Sequence, residues 1–596
     1  MIPERLAALR ALMKQHDIDA YLVPTDDFHG SEYVGDYFKC REFITGFTGS
    51  AGTAVITRDA AGLWTDGRYF IQAARQLVGS GVTLYRMGEE GVPTIEEFLF
   101  DTLKPGQCLG FDGRTMTAGQ GAQLEQKLAE KNISVSCQLD LIGDIWADRP
   151  ALSCEPAWSL DVKYAGKPRN EKLAKIRSLM AEKKADYFLL TSLDDIAWLL
   201  NIRGNDIACN PVVLSYLVMT QGRVLLFAQS AAFSPELIEE LRQNAVTLKP
   251  YHDVYNYVAG IPAGKTVLLD TSSANYTLRR SLPEQVTVLE DTNLTLLPKA
   301  VKNAVEVANM KKAHIKDGVA VTKFIFWLKK TIGKEEITEL SAADKLEEFR
   351  KQGEHYIGPS FDPILSYGSH AAIVHYSATQ ETNIPLQQKG LLLADTGGQY
   401  LEGTTDITRT IVLGETTEKE RVFFTRVLRG NLRLASAKFL NGCSGKNLDY
   451  LAREPLWEIG EDYNHGTGHG VGFLLNVHEG PNGFRWKTAP GAREMAAFQE
   501  GMITTDEPGY YVEGEFGIRH ENMMVCKKAE KKPCGQFMEF ETITLAPFDL
   551  DAVLPELMTE KERQLLNAYH EKVYEKISPY LNEEEKEWLK SATRKI

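Results

Sequence analysis

The sequence predicts a protein of α/β class with three domains, in which two related α/β domains precede a larger α+β domain. The first observation is length, because 596 residues are too many for a single hydrophobic core. The second is a helix–strand unit that occurs twice in the N-terminal half. The third is a pair of hairpin patterns in the C-terminal half, where short apolar strands are separated by glycine-containing turns.

The repeated unit begins with a similar helical string. Residues 4–13 read ERLAALRALM and residues 171–180 read EKLAKIRSLM, and both strings place apolar side chains on one stripe. A short apolar run follows each string, at 19–23 and 186–190, and predicts a strand. Any helix–strand unit has some of these features, but the shared string favours a duplicated α/β domain. An acidic pair follows each run: Asp26 and Asp27, then Asp194 and Asp195.

Two composition shifts mark the domain boundaries. The segment 148–152 contains an Arg-Pro step and is the predicted linker between the two α/β domains. A third region begins near Pro298. The predicted domains are therefore 1–156, 157–299 and 300–596.

Helical patterns begin and end the third domain. Residues 302–330 form one long pattern with apolar positions at helical spacing. Near the end of the chain, Thr559 with Glu562 and Asn582 with Glu585 fit capping boxes. The sequence thus predicts a C-terminal helical extension, and packing on its own domain is favoured over docking on a partner.

Composition excludes several classes of function. A net charge of -14 disfavours nucleic acid as a partner, because phosphate binding needs a basic face. No apolar stretch is long enough to span a bilayer, and the N-terminus lacks the apolar run of a signal peptide. The eight cysteines are scattered without a C-x-x-C pair, which favours reduced thiols in a cytoplasmic protein.

The third domain carries five candidate metal ligands, four of which are carboxylates. Such a hard, oxygen-rich set suits a pair of Mn²⁺-like ions better than a structural zinc, which usually takes thiolates. Two ions that share bridging carboxylates can activate a water for hydrolysis. The alternative, a set of unrelated surface acids, conflicts with their apolar flanks. The candidates are Asp395, Asp406, His469, Glu507 and Glu521.

The first two carboxylates fall on a predicted hairpin. Residues 390–395 read as a buried strand, and the β-branched run 404–412 reads as the returning strand. A turn centred between residues 400 and 401 places Asp395 directly opposite Asp406. Two carboxylates so close repel each other unless cations lie between them.

The same construction occurs again further along the chain. A strand leads to Glu507, and a returning strand carries Glu521. A turn centred at Gly514 places these two acids opposite each other, and period-two alternation places Arg519 on the face of Glu521. The two hairpins together predict a dinuclear site between related half-domains.

Three further histidines are candidates for the site: His375, His465 and His478. An imidazole can stabilise a developing oxyanion or position a substrate carbonyl, although each of these residues taken alone is more typical of a structural histidine. The glycines of 466–472 lack the G-x-G-x-x-G spacing of a nucleotide-binding loop. The sequence after His478 is not an H-E-x-x-H motif, because Asn482 stands at the second histidine position.

The ordered ligand set resembles that of the pita-bread metallopeptidases, which include methionine aminopeptidases, prolidases and Xaa-Pro aminopeptidases. The length and the duplicated α/β domain resemble the long, cytosolic form of the Xaa-Pro aminopeptidases (aminopeptidase P). Residues 41–52 and 64–69 are similar to N-terminal strings of that form. The resemblance implies two creatinase-like N-terminal domains followed by a pita-bread catalytic domain.

The resemblance also implies a role for each ligand. Asp395 should bind one metal ion, Asp406 and Glu521 should bridge two ions, and His469 and Glu507 should complete the other ion's shell. Glu507 should in addition act as a proton shuttle.

The same resemblance implies the substrate-binding residues. His375 and His478 should hold the substrate carbonyl or stabilise the tetrahedral intermediate. His465 and Arg519 should line the proline side of the pocket or support the metal ligands from behind. Arg41, from the first domain or from a neighbouring subunit, is a further candidate for the mouth of the site.

The implied function is a metal-dependent exopeptidase that releases the N-terminal residue when proline is second. The expected cofactors are two Mn²⁺ ions, with Zn²⁺ or Co²⁺ as alternatives, and the expected assembly is a homodimer. A Xaa-Pro bond is a tertiary amide without an N–H, which metal-assisted attack does not require. Prolidase is disfavoured because prolidase-like chains typically have one N-terminal domain. A non-catalytic peptide-binding member or a creatinase would lack ligands, and a methionine aminopeptidase would be shorter.

Overall fold

The structure is a computed structural model that describes residues 1–487 and 495–596. The chain divides into two compact units, and both predicted N-terminal α/β domains belong to the first of them. No helix of the described residues has the length and apolar character needed to cross a membrane. The first unit comprises Met1–Asp161 and Lys167–Thr295, and the second comprises Val162–Gly166 and Leu296–Ile596.

The first domain is built on one six-stranded sheet with the strand order β4-β3-β2-β1-β5-β6. Its strands are β1 Ala20–Pro24, β2 Thr53–Thr57, β3 Ala61–Thr65, β4 Thr83–Arg86, β5 Cys108–Gly110 and β6 Ser134–Ser136. Its helices are α1 Ile2–Gln15, α2 Cys40–Thr45, α3 Phe70–Gln76, α4 Ile95–Thr102, α5 Ala118–Ala129 and α6 Leu141–Ile145. The apolar stripe predicted for α1 is buried at Leu6, Leu9 and Met13.

The second domain repeats this topology. Its sheet has the order β12-β11-β10-β8-β13-β14, which is the same order of first to sixth strand as in the first domain. The predicted duplication is therefore confirmed. The strands are β7 Trp158–Ser159, β8 Tyr187–Leu190, β9 Ile202–Arg203, β10 Ser215–Met219, β11 Val224–Ala228, β12 Val246–Pro250, β13 Thr266–Leu269 and β14 Thr287–Glu290. The helices are α7 Val162–Ala165, which belongs to the second unit, α8 Arg169–Glu182, α9 Leu193–Leu200, α10 Pro235–Gln243, α11 Asp253–Ala259 and α12 Tyr276–Arg280.

The third domain combines long helices with mostly antiparallel sheets. Its helices are α13 Leu296–Ala300, α14 Ala304–Thr331, α15 Glu339–Lys351, α16 Glu418–Ala435, α17 Gly445–Leu448, α18 Tyr450–Trp457, α19 Glu560–Ile577 and α20 Glu583–Ala592. Its strands are β15 Tyr356–Pro359, β16 Ile364–Tyr367, β17 Leu391–Thr396, β18 Gly398–Tyr400, β19 Gly403–Thr404, β20 Ile407–Val412, β21 Lys438–Leu440, β22 Gly468–Gly470, β23 Glu479–Phe484, β24 Ile503–Asp506, β25 Gly509–Val512, β26 Phe516–Arg519, β27 Asn522–Lys532 and β28 Gly535–Thr542.

The helices of the third domain begin where the sequence predicts. Asn303 caps α14 through a capping box with Glu306. The two predicted C-terminal capping boxes are also present, at the start of α19 and of α20. Leu589 of α20 is fully buried in a cluster with Val573 and Ile577 of α19, so the last helix packs on its own domain.

The first acidic hairpin differs from its predicted register by two residues. Asp395 in β17 lies opposite Thr408 in β20, not opposite Asp406. The cause is the turn between β18 and β19, in which Glu402 is held by Lys316 Nζ at 2.9 Å. Because a shift of two residues preserves the face of a strand, the two acids remain on one side of the sheet.

The second acidic hairpin has the predicted register. Asp506 pairs with Asn522, and Gly509 pairs with Arg519, so both ladders are centred on Gly514. Glu507 and Glu521 occupy the gaps between these ladders and face each other. The second hairpin therefore interrupts its hydrogen-bond ladder at its two acids, whereas Asp395 of the first hairpin lies within a continuous ladder.

Arg41 is held within the first domain, and its predicted place at the mouth of the site stays a prediction. Its side chain is only 4% exposed and donates hydrogen bonds to Thr25 Oγ1 and to the carbonyls of Phe47 and Gly49. These bonds use three of the five N–H donors of the side chain and stabilise the loop that contains Phe47 and Gly49.

Candidate metal centre

Three of the predicted ligands meet at one point of the third domain. Ligand atoms of Asp406, His469 and Glu521 all lie within 4.8 Å of one another. Asp406 immediately precedes β20, His469 lies in the middle of β22, and Glu521 immediately precedes β27. Residues distant in the chain thus converge because the starts of β20 and β27 meet the middle of β22.

Glu507 extends this cluster. Its Oε1 lies 3.3 Å from His469 Nε2, and Nε2 lies 3.5 Å from Asp406 Oδ2. The Thr505 hydroxyl donates to Glu507 Oε1 at 3.2 Å and accepts the backbone N–H of His469 at 3.0 Å. One threonine therefore fixes the relative positions of two candidate ligands.

Asp395 is held in place by a buried arginine. Arg519 Nε donates to Asp395 Oδ2 at 3.1 Å, and the Arg519 side chain is only 2% exposed. The other oxygen, Oδ1, is buried and has no hydrogen-bond partner among the described residues. A buried carboxylate oxygen without a donor is costly, so this atom is suited to bind a cation.

The electrostatics of the cluster favour divalent cations. Burial and the neighbouring carboxylates raise the pKa of Asp406 and that of Glu521 well above their ordinary values. Burial also raises the pKa of Glu507 to about 7, although the Arg519 charge opposes this shift. Four carboxylates with one imidazole match the ligand preference of hard ions such as Mn²⁺. The residues present therefore fit the dinuclear centre that the sequence predicts.

Of the two histidines predicted to hold the substrate carbonyl, His478 lies beside this cluster. The His478 ring packs edge to face against His469, with 4.2 Å between ring centroids. His375 follows Val374, whose carbonyl accepts a hydrogen bond from Arg519 at 3.4 Å. The structure thus places the His478 ring against a candidate ligand and the backbone next to His375 against Arg519.

A chain of hydrogen bonds joins Arg519 to His465 through Tyr511. Arg519 donates to the Tyr511 hydroxyl at 2.7 Å, and this hydroxyl lies 2.8 Å from His465 Nε2. His465 Nδ1 lies 2.7 Å from the Gly466 carbonyl, an acceptor, so Nδ1 carries the proton and Nε2 accepts from Tyr511. Burial and the Arg519 charge lower the pKa of His465 to about 3, which keeps the imidazole neutral.

Sequence reasoning missed the hydroxyl groups of this site. Tyr511, Thr505 and Thr408 hold the ligands or their partners, and Thr408 donates to Glu521 Oε2 at 2.8 Å. The signal for Tyr511 was available, because it pairs with Gly517, two residues from Arg519 and therefore on the same face. The signal for Thr408 was hidden by the error in the first hairpin register.

Four segments of the chain match models of known families. Residues 5–141 and 148–306 match the creatinase/prolidase N-terminal domain. Residues 308–528 match metallopeptidase family M24, and residues 536–596 match the C-terminal region of that family. These matches agree with the observed duplication and the separate third domain.

Relatives extend over the whole chain. A probable Xaa-Pro aminopeptidase P from Talaromyces marneffei is 40% identical over 613 residues, which covers 100% of this chain and 92% of the relative. Xaa-Pro aminopeptidase 1 from Dictyostelium discoideum is 38% identical, and the match covers 100% of this chain and 97% of the relative.

A solved structure is similar to the entire fold. The X-prolyl aminopeptidase from Caenorhabditis elegans, described as a cytosolic enzyme with a di-nuclear active site, superimposes with a TM-score of 0.95 at 34% identity. The match covers 100% of both chains. The chain therefore belongs to the Xaa-Pro aminopeptidases of metallopeptidase family M24.

Proposed function

We propose that this protein is a metal-dependent exopeptidase that removes the N-terminal residue from peptides with proline in the second position. The observation that carries the proposal is the buried cluster around Asp406, His469 and Glu521, with the unpartnered Asp395 oxygen beside it. Family membership supports the substrate class, since relatives along the full length are named Xaa-Pro aminopeptidases.

The ligand roles follow from position in the cluster. Asp395 would bind one metal ion, and Asp406 and Glu521 would bridge two ions. His469 and Glu507 would complete the set of donors around the second ion. When bound, such a pair of ions supplies an activated water and a polarised scissile carbonyl. Mn²⁺ is proposed over Zn²⁺ or Co²⁺ because four of the five donors are carboxylates.

Glu507 is placed to move a proton. Without bound ions, burial raises the pKa of Glu507 to about 7. Bound ions would favour its ionised form, which is the form that a general base needs. The Thr505 hydroxyl at 3.2 Å orients Oε1 for that transfer. Glu507 would therefore accept a proton from the attacking water and return it to the leaving proline nitrogen.

Histidines would hold the substrate on either side of the ligands. His478, against the His469 ring, and His375, next to Val374, would donate to the carbonyl oxygen of the scissile bond. His465 and Arg519 would line the proline side. The neutral His465 ring presents little charge to an apolar pyrrolidine, which suits that position.

Hydrolysis of Arg-Pro-Pro and of the dipeptide Ala-Pro tests the proposal directly. With metal-stripped protein neither peptide should be cleaved. Added Mn²⁺ should restore release of the first arginine, with kcat/KM for the tripeptide at least about tenfold above that for Ala-Pro. Preference for Ala-Pro would instead assign a prolidase activity. Failure to cleave either peptide with a full metal complement would assign a peptide-binding role.

A cytoplasmic location is proposed on two grounds. No disulfide joins the cysteines of the described residues, as expected in a reducing compartment. The Caenorhabditis elegans relative is described as a cytosolic enzyme.

A homodimer is proposed from an exposed aromatic patch on the third domain. The patch contains Tyr450, Trp457, Ile459 and Trp486, of which Trp457 is 37% and Trp486 39% exposed. The Trp457 ring lies 5.9 Å from Tyr450 and 5.6 Å from Trp486, so the patch is contiguous. Contiguous apolar surface of this kind marks interfaces between subunits.

Removal of this patch should yield monomers. The double substitution Trp457→Ser and Trp486→Ser is expected to halve the molar mass measured by light scattering, because both anchors of the proposed interface are lost. Val78→Ser is the control, since Val78 is exposed in the first domain outside the patch. An unchanged mass in the double variant would contradict this interface.

A further inference from the structure

Arg485 extends the candidate site beyond the residues that the sequence predicts. It directly follows β23, and the Thr467 N–H bonds to the carbonyl of the preceding residue, Phe484, at 2.9 Å. His469 pairs with Gly483 across the same two strands. Because side chains alternate along a strand, Arg485 points to the face of Gly483 and therefore to the face of His469.

The guanidinium of Arg485 lies over the glycine-rich loop. A Cβ at Gly466 would come within 2.9 Å of Arg485 Nε and 3.2 Å of Cζ, so the Arg485 side chain passes directly over this glycine. The Arg485 charge also contributes to the lowered pKa of His465, the neighbour of Gly466. Two independent observations thus place the cation beside His465.

Arg485 is available for a ligand. It is exposed, and within the described part of the chain no carboxylate forms an ion pair or hydrogen bond with it. The deeper cation of the site, Arg519, is by contrast neutralised by Asp395. An unpaired guanidinium matches a carboxylate in both charge and geometry, because it offers two parallel donors.

Chain length decides which carboxylate would reach it. Arg485 lies two positions beyond Gly483, the partner of His469, which is about 7 Å along a strand. In the proposed function the scissile carbonyl lies at the His469 cluster. The carboxylate of a tripeptide is two residues further on, again about 7 Å in an extended chain. The carboxylate of a dipeptide is only one residue away and falls short.

We propose that Arg485 is a specificity-determining residue that binds the C-terminal carboxylate of Xaa-Pro-Yaa tripeptides. The inference rests on the proposed function and adds a substrate class to it. Tripeptides with a free C-terminus are favoured over their amides, over dipeptides and over longer peptides that have no carboxylate at the third residue.

The test compares Arg-Pro-Pro with its C-terminal amide, using the full-length Mn²⁺-loaded protein. The native protein should show a KM about tenfold lower for the acid than for the amide. Arg485→Gln should remove this difference by raising KM for the acid about tenfold. The variant should leave kcat for both peptides, and KM for the amide, unchanged. Arg485→Lys should recover part of the preference, since the charge is kept and the planar donor pair is lost.

Lys487→Gln is the matched control. Lys487 is an exposed cation in the same segment, but its Nζ lies 4.4 Å from the Trp486 ring centroid. This variant should retain the native preference for the acid. Equal KM values for acid and amide in the native protein would overturn the proposal. An equal rise in KM for both peptides in Arg485→Gln would also overturn it. Absence of cleavage of both peptides by the native protein would instead overturn the proposed function itself.

Discussion

The substitution Asp406→Asn is expected to abolish peptidase activity, with a loss in kcat of about a thousandfold or more. Asp406 lies within 4.8 Å of two other candidate ligands and is the proposed bridge between two ions. An amide has one oxygen and no charge, so it cannot bridge. A metal centre supplies several kcal/mol of transition-state stabilisation, and each 1.4 kcal/mol is about tenfold in rate. Hydrolysis of Arg-Pro-Pro and metal content by elemental analysis measure the two losses together.

Glu402→Gln provides the control from the same hairpin. Glu402 is also a buried acid, but it is bonded to Lys316 Nζ at 2.9 Å and to His355 Nδ1 at 2.7 Å, in the turn between β18 and β19. This variant should lose stability while it keeps its metal content and kcat. Native activity in Asp406→Asn, with circular dichroism unchanged, would exclude the assignment of Asp406 as a bridging ligand.

The sequence predicts the ligands better than the residues that orient them. Each ligand stands at the end of an apolar strand or between glycines, and these signals are local. Register is a weaker signal, because it depends on the turn. The second hairpin was predicted correctly from Gly514, whereas the first was not, since Glu402 fixes its turn through Lys316, a residue distant in the chain.

Long-range contacts explain the other differences. Tyr511 acquires its role from His465, 46 residues away, and no periodicity links the two positions. Arg41 also has partners that its motif does not indicate, because three of its five N–H donors bond to Thr25 and to the carbonyls of Phe47 and Gly49. These hydrogen bonds are a property of the folded loop and are absent from the sequence pattern.

Metal removal is expected to destabilise the protein by an amount that increases with pH. In the metal-free state, burial raises the pKa of Glu507 from its ordinary value of 4.5 to about 7, and the pKa values of Asp406 and Glu521 shift in the same direction. The folded protein then retains protons that the unfolded chain releases. The contribution of these protonated carboxyl groups to the free energy of unfolding is fully present below pH 4.5 and is lost as the pH rises towards 7. For Glu507 alone this loss is on the order of 3 kcal/mol.

Bound ions reverse this dependence, because they require the ionised carboxylates and stabilise the folded state in proportion to their affinity. The melting temperatures of Mn²⁺-loaded and stripped protein should therefore diverge between pH 5 and pH 7. Asp406→Asn removes one of the repelling charges, so its stripped form should depend less on pH than the stripped native protein. A constant difference between loaded and stripped protein across this window would mean that the carboxylates are not the groups that bind the ions. Divergence in the native protein that shrinks in Asp406→Asn would instead tie both the repulsion and the metal affinity to the same buried cluster.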